Sequence, residues 1–136
     1  MTPLESELID VSVFTATRSA LGSNFARILG YLREDGTQSV DKIEEAMRAK
    51  DPAAMVLAAH KLKGEALQFG AMRLSDAAET IEMTARDCVE HHETPDAIIE
   101  LVSVLRPLFE ETLALLEKNS GPAVQRRPQG FGRRIA

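Results

Sequence analysis

Residues 51–70 read DPAAMVLAAHKLKGEALQFG, and this stretch predicts a single amphipathic helix. Asp51 can cap its N-terminus, Pro52 suits its first turn, and Gly70 can end it. Between these limits, apolar residues recur at the three- and four-residue spacing of one helix face: Met55, Ala59, Leu62, Ala66 and Phe69. We therefore expect a helix that buries one face in an all-α core.

The flanking sequence predicts further helices in both directions. They are expected over residues 2–20, 23–49, 72–91 and 94–118. A break is expected near Asp10, a cap at Ser23 and a kink at Pro107, whereas the apolar stripe continues in register through Gly36. Because the connections are short and no strand pattern occurs, we expect an up-and-down antiparallel four-helix bundle with an extra N-terminal helix.

Composition and charge favour one acidic domain with a basic extension. Residues 119–136 are rich in Pro, Gly and Arg and predict a flexible tail, which leaves residues 1–118 as the bundle. The tail holds four arginines and no acid, so residues 1–118 carry a charge of −9 from 12 basic and 21 acidic residues. This acidity argues against nucleic-acid binding, which needs clustered cations, and favours a protein partner.

The cellular location is inferred from what the sequence lacks. The N-terminus has no signal-peptide pattern, and no apolar run approaches the roughly 20 residues that span a membrane. The one cysteine, Cys88, cannot form an internal disulfide. We therefore expect a cytoplasmic protein that makes no membrane contact. A monomer is expected as well.

His60 is the candidate functional residue of the central helix. At about 100° per residue, His60 points roughly 200° away from the inward-facing Leu62 and is expected to face solvent. Lys63 and Gly64 lie one turn further along the same face. An ammonium group there can neutralise a phosphoryl group on the imidazole, and a glycine there leaves the approach to the ring open.

Two apolar residues share this outward face. Val56 and Leu67 lie one and two turns from His60, where they can offer apolar contact to a docking partner. Together with Lys63 and Gly64 they indicate an exposed nucleophile with a cation, an open approach and an apolar rim.

The run His60-Lys61-Leu62-Lys63-Gly64, followed by Phe69-Gly70-Ala71 and Leu74, resembles the signature of histidine-containing phosphotransfer (HPt) domains. The resemblance implies a four-helix bundle that relays a phosphoryl group between aspartates of receiver domains in a two-component phosphorelay. It also implies that His60 is the phosphoacceptor, Lys63 the phosphate-side cation and Gly64 the cleared approach.

The chain departs from the family pattern at two positions. Family members often have a glutamine that hydrogen-bonds the histidine ring, and the matching residue here is Glu82. Glu82 is therefore expected to orient the ring, although a carboxylate also favours a protonated, non-nucleophilic imidazole. Glu65 stands where small residues are common, and this departure can alter the choice of partner.

The sequence further predicts a phosphoryl carrier rather than an enzyme. It has no glycine-rich nucleotide loop of the required pattern and no evident carboxylate cluster beside His60 for Mg²⁺. We expect no cofactor of its own, with Mg²⁺ supplied in the site of the partner receiver. The expected partners are response-regulator receiver domains and a sensor histidine kinase.

Two alternatives stay open at this point. The chain can be a phosphorylation-independent helical adaptor that binds a receiver or kinase through the same face. A metal protein built around Cys88, His91 and His92 is disfavoured, because structural sites usually need four ligands and catalytic ones three plus water.

Overall fold

A computed structural model describes residues 2–120, and these residues are helical with no strand. The helices are α1 Pro3–Leu8, α2 Val11–Leu21, α3 Phe25–Arg48, α4 Pro52–Gln68, α5 Met72–His91 and α6 Ile99–Lys118. Single 3-10 turns, Gly22–Asn24 and Asp96–Ile98, lead into α3 and α6. The predicted all-α class is confirmed, and the tail expected over residues 119–136 lies, beyond Ser120, outside the described residues.

Helices α3 to α6 form the four-helix bundle. α4 packs against α3 and α5, and α6 closes the bundle by packing against both α3 and α5. Ion pairs show that α6 is antiparallel to α3, because Arg33 near the start of α3 meets Glu117 near the end of α6, while Arg106 meets Asp41 and Glu44. Three-residue connections on either side of α4 impose the same reversal on α3, α4 and α5.

The core contains the inward stripe predicted for α4. All five stripe residues are buried, and they meet large side chains from every other bundle helix: Leu32, Val40, Ile43, Leu74, Ile81, Leu105, Phe109 and Leu116. Asp51 caps α4 as expected by accepting from the backbone N–H of Ala54 at 3.3 Å. Burial of this one stripe fixes which residues of α4 are left to face solvent.

The break expected near Asp10 in the N-terminal segment is confirmed. Asp10 is extended, and its carboxylate accepts from the N–H groups of Ser12 and Val13 to start α2, so the segment forms two short helices, α1 and α2, rather than one extra helix. The predicted cap at Ser23 is wrong: Ser23 lies in a 3-10 turn, and Asn24 precedes α3 with no side-chain cap bond.

This segment is fastened to the turn that ends α4. The N–H of Asp10 donates to the carbonyl of Gly70 at 2.7 Å, and the hydroxyl of Thr17 donates to the carbonyl of Gln68 at 2.7 Å. Gly70 has φ +74°, and a Cβ placed on it would lie 2.8 Å from the carbonyl oxygen of Asp10. Only glycine combines this backbone conformation with so close an approach.

Two glycines inside α3 lie in opposite surroundings and give a test of the packing. A Cβ on Gly36 would lie 2.5 Å from Cε1 of the buried Phe109, whereas a Cβ on Gly30 would meet nothing within 4 Å. Overpacking a filled core costs about 1–3 kcal/mol, more than the roughly 1 kcal/mol that alanine gains over glycine in a helix. We predict that Gly36→Ala lowers the free energy of unfolding in urea and that Gly30→Ala raises it. Equal gains in both variants would contradict the packing of Phe109 on Gly36.

Candidate functional site

His60 lies in the middle of α4 on the face opposite the core, as the periodicity predicted. Its side chain is 56 % exposed. One ring nitrogen, Nδ1, lies 3.0 Å from Oε2 of Glu82 on the neighbouring helix α5. The ring is therefore held at one nitrogen while its body faces solvent.

Glu82 is the buried centre of the site, with a side chain only 3 % exposed. Its Oε2 faces Nδ1 of His60 and accepts from Nε and Nη2 of Arg86, at 3.0 and 2.8 Å. Its Oε1 lies 2.9 Å from Nζ of Lys63. Side chains from α4 and α5 thus converge on one carboxylate, and the structure brings His60, Lys63 and Glu82 together.

The charge state of Glu82 follows from these contacts. Burial raises the pKa of Glu82, but the contacts with Lys63, Arg86 and His60 outweigh burial and bring it to about 2. Glu82 is therefore ionised at neutral pH and can only accept hydrogen bonds. The hydrogen of a neutral His60 ring must then lie on Nδ1, which leaves the lone pair on Nε2.

Lys63 contacts a protein carboxylate, whereas the sequence predicted that it would face a phosphoryl group on His60. Its side chain is 22 % exposed, and its ammonium group is paired with Glu82. In this structure the cation thus compensates a protein carboxylate next to the ring. A phosphoryl group on His60 would have to compete with Glu82 for it.

Gly64 leaves open space beside His60. A Cβ built on Gly64 meets nothing within 4 Å, and the residue is exposed. A mid-helix glycine costs about 1 kcal/mol relative to alanine, and no close approach within the described residues accounts for it. The free space lies one helical turn from His60 on the same face of α4.

The apolar rim is only partly as predicted. Leu67 is exposed, but Val56 is half-buried and packs against the core. Sequence reasoning missed Leu57, which is 75 % exposed. Its offset of three residues before His60 places it about 60° away on the helix, so the signal was present in the spacing.

Arg86 was also missed. It follows Glu82 by four residues on α5, the spacing of side-chain pairs in a helix, but it gains meaning only once Glu82 is known to face His60. Arg86 also lines an open groove of about 360 Å³ together with Ala53, Val56, Val89 and Glu90. This groove lies between α4 and α5, directly beside the site.

The residues considered for a metal site do not converge. The Cys88 thiol is buried and lies 3.5 Å from the carbonyl of Thr94, while Nδ1 of His91 lies 2.8 Å from the carbonyl of Asp87 and His92 ends α5. Within residues 2–120, no three His, Cys, Asp or Glu side chains are grouped closely enough to hold a metal ion. None of the helices in this range combines the length and hydrophobicity needed to cross a membrane.

Glu65, the second departure from the family pattern, lies between α4 and α3. Burial, followed by repulsion from the Asp35 carboxylate, raises the pKa of Glu65 from its ordinary 4.5 to about 7, against a smaller lowering effect of Lys61. Two acidic side chains thus face each other one residue beyond Gly64.

The fold and the site together define a helical bundle that presents one exposed histidine, held from behind by a buried carboxylate. The sequence model of the Hpt domain family matches residues 27–119. The chain belongs to this family, whose members are phosphocarrier modules that pass phosphoryl groups through a histidine in phosphorelays. No curated protein and no solved structure gives a significant match to the chain.

The raised pKa of Glu65 predicts a pH-dependent stability. The folded chain binds the proton of the Glu65 carboxyl group more tightly than the unfolded chain does. Binding of this proton therefore stabilises the fold fully below about pH 4.5, and the stabilisation is lost as the pH rises through about 7. Glu65→Gln should therefore stabilise the bundle at about pH 8 by on the order of 1 kcal/mol, since partial solvent access screens the repulsion, and should change little at about pH 5. Urea unfolding at both pH values measures this.

Glu79→Gln is the matched control, because it removes the same charge from an exposed position on α5. A gain for Glu65→Gln that is the same at both pH values would contradict the assigned titration.

Proposed function

We propose that this chain relays a phosphoryl group between aspartates of receiver domains in a two-component phosphorelay and that His60 carries the group. The observation that carries the proposal is the contact of the exposed His60 ring with the ionised Glu82. When the ring is neutral, this contact keeps its hydrogen on Nδ1 and leaves the lone pair on Nε2. Membership of the Hpt family supports the same chemistry.

The proposed step needs no proton transfer by the chain. The Nε2 lone pair attacks the phosphorus of a receiver's aspartyl phosphate in line, a P–N bond forms, and the P–O bond to the aspartate breaks. The electron pair of that bond leaves with the aspartate carboxylate. His60 keeps its hydrogen on Nδ1, so the ring becomes cationic and the adjacent Glu82 carboxylate stabilises the charge.

Reversal of this step delivers the group to a second aspartate. The P–N bond breaks, the electron pair returns to Nε2, and the ring is again neutral with its hydrogen on Nδ1. Glu82 therefore stabilises the charged state without providing or removing a proton. Its position suits a carrier that must both accept and release the group.

The negative charge of the phosphoryl group would be neutralised by Lys63 and by the partner receiver. We propose that Lys63 turns from Glu82 to the phosphoryl oxygens, which lie one turn along the same helix face. Mg²⁺ would be supplied in the receiver's own site, so the chain acts as a carrier without a nucleotide site or cofactor. The exposed Leu57 and Leu67 would contact the receiver around the polar centre.

The proposed partners are response-regulator receiver domains and a sensor histidine kinase. Cys88 is buried and forms no disulfide, as is usual in a reducing compartment, and we propose that the relay lies in the cytoplasm. We also propose that the chain is a monomer. Gly64 and the apolar rim would also suit an adaptor that docks without phosphorylation. The chemistry of His60 separates the two functions.

We predict that His60→Gln abolishes phosphoryl transfer from a phosphorylated receiver. Labelling of the unmodified chain should be acid-labile and base-stable, and none should remain in the variant. Because His60 is outward-facing, its replacement should shift the free energy of unfolding by less than about 1 kcal/mol.

His91→Gln is the matched control, since it removes another exposed histidine near the end of α5. Retained labelling in His60→Gln would assign the chemistry to another residue. Binding of receivers without any labelling of the unmodified chain would favour the adaptor.

A second prediction concerns the open space at Gly64. Gly64→Ala should leave the bundle as stable or more stable by up to about 1 kcal/mol, because no atom opposes the added methyl. Gly64→Gln should also fold, yet it should slow transfer by on the order of 100-fold, because an ångström-scale displacement of reacting groups has that effect. Melting curves and transfer rates measure the two quantities separately.

Gly30→Gln is the matched control, because it adds the same side chain at an open helical glycine of α3. If Gly64→Gln transferred at the unmodified rate, the receiver would have to approach His60 from another side.

A further inference from the structure

Arg86 makes two hydrogen bonds in the site, and the proposed relay does not use them. Its Nε and Nη2 both donate to Oε2 of Glu82, the oxygen that also faces Nδ1 of His60. Its side chain is 51 % exposed, so a guanidinium group that water could solvate is instead drawn onto a buried carboxylate. The other oxygen of Glu82 is left for Lys63.

The charges around Glu82 explain why two cations are present. With Lys63 and Arg86 in place, the carboxylate is compensated on both oxygens. If Lys63 turns to a phosphoryl group, Arg86 still compensates Glu82. Without Arg86, the same movement would leave a buried carboxylate facing the ring alone, which favours an imidazolium ion that has no lone pair for attack.

We propose that Arg86 is a positioning residue for His60: it holds the Glu82 carboxylate in place and compensates its charge, so that the ring stays neutral and Lys63 is free to serve the phosphoryl group. This inference rests on the proposed function. It assigns to Arg86 the compensation of a buried, charged glutamate that lies beside the phosphoaccepting ring. The residue acts through Glu82 and does not touch the transferred group.

The test is a double-mutant cycle. Arg86→Ala is made in the unmodified chain and in Glu82→Gln, and the rate of phosphoryl acceptance from a phosphorylated receiver is measured for each. We expect about a tenfold loss in the unmodified chain, the usual effect of removing one charged hydrogen-bond partner, and less than about a twofold loss in Glu82→Gln, where no charge needs compensation. Arg86→Lys should recover most of the rate, because it restores the charge.

A second readout follows the ring without any phosphoryl chemistry. The ¹⁵N resonances of the His60 ring in the unphosphorylated protein at about pH 7 distinguish the neutral ring with its hydrogen on Nδ1 from the imidazolium ion. Arg86→Ala should increase the imidazolium fraction, and Arg86→Ala in the Glu82→Gln background should not. Arg73→Ala is the matched control, because it removes a similarly exposed arginine, 57 % against 51 %, from the same helix.

Each outcome decides the inference. Equal losses of rate in both backgrounds would mean that Arg86 serves docking rather than Glu82, and unchanged ring resonances in Arg86→Ala would overturn the inference outright. Failure of every variant, including the unmodified chain, to accept a phosphoryl group would overturn the proposed relay instead. The ring resonances would still decide whether Arg86 controls the charge state of His60.

Discussion

The carboxylate of Glu82 is the constraint on which the site depends. It is buried between α4 and α5, and a buried charge is tolerated only when its oxygens are paired. His60, Lys63 and Arg86 supply that pairing, and the carboxylate in return orients the imidazole ring. The direction of the imidazole ring therefore depends on the position of α5 relative to α4.

The rest of the bundle holds α4 and α5 in this relative position. The buried stripe of α4 sets the rotation of the helix about its axis, so Leu62 points inward and His60 outward. The antiparallel ion pairs between α3 and α6 close the opposite side of the bundle. Ion pairs that are exposed or half-buried, as these are, contribute little free energy, whereas the buried apolar stripes contribute most of it. The outward direction of His60 thus depends on the packing of the buried α4 stripe against the core.

Periodicity was enough to predict α3 to α6, because each buries a long stripe whose spacing is visible in the chain itself. The exposure of His60 and the open space at Gly64 followed from the same geometry. What could not be predicted was anything that joins distant residues: the pairing of Lys63 with Glu82 needs the register of α4 against α5, and Arg86 matters only through that pairing. In the N-terminal segment the break near Asp10 was predicted, but the pattern indicated one interrupted helix, whereas the carboxylate of Asp10 caps a separate second helix. The attachment of these helices to Gly70 depends on a backbone contact 60 residues away in sequence, which no local pattern contains.

That attachment has a consequence for local unfolding. The carbonyl groups of Gln68 and Gly70, at the C-terminal end of the helix that presents His60, accept hydrogen bonds from Thr17 and Asp10. Release of the N-terminal helices would remove the Thr17 donor from Gln68 and leave the Gly70 carbonyl with the N–H of Met72 alone, so we expect fraying of the end of α4 and detachment of α2 to be coupled. Amide hydrogens at the end of α4 and at the start of α2 should accordingly exchange with solvent at related rates, as members of a single cooperative unit.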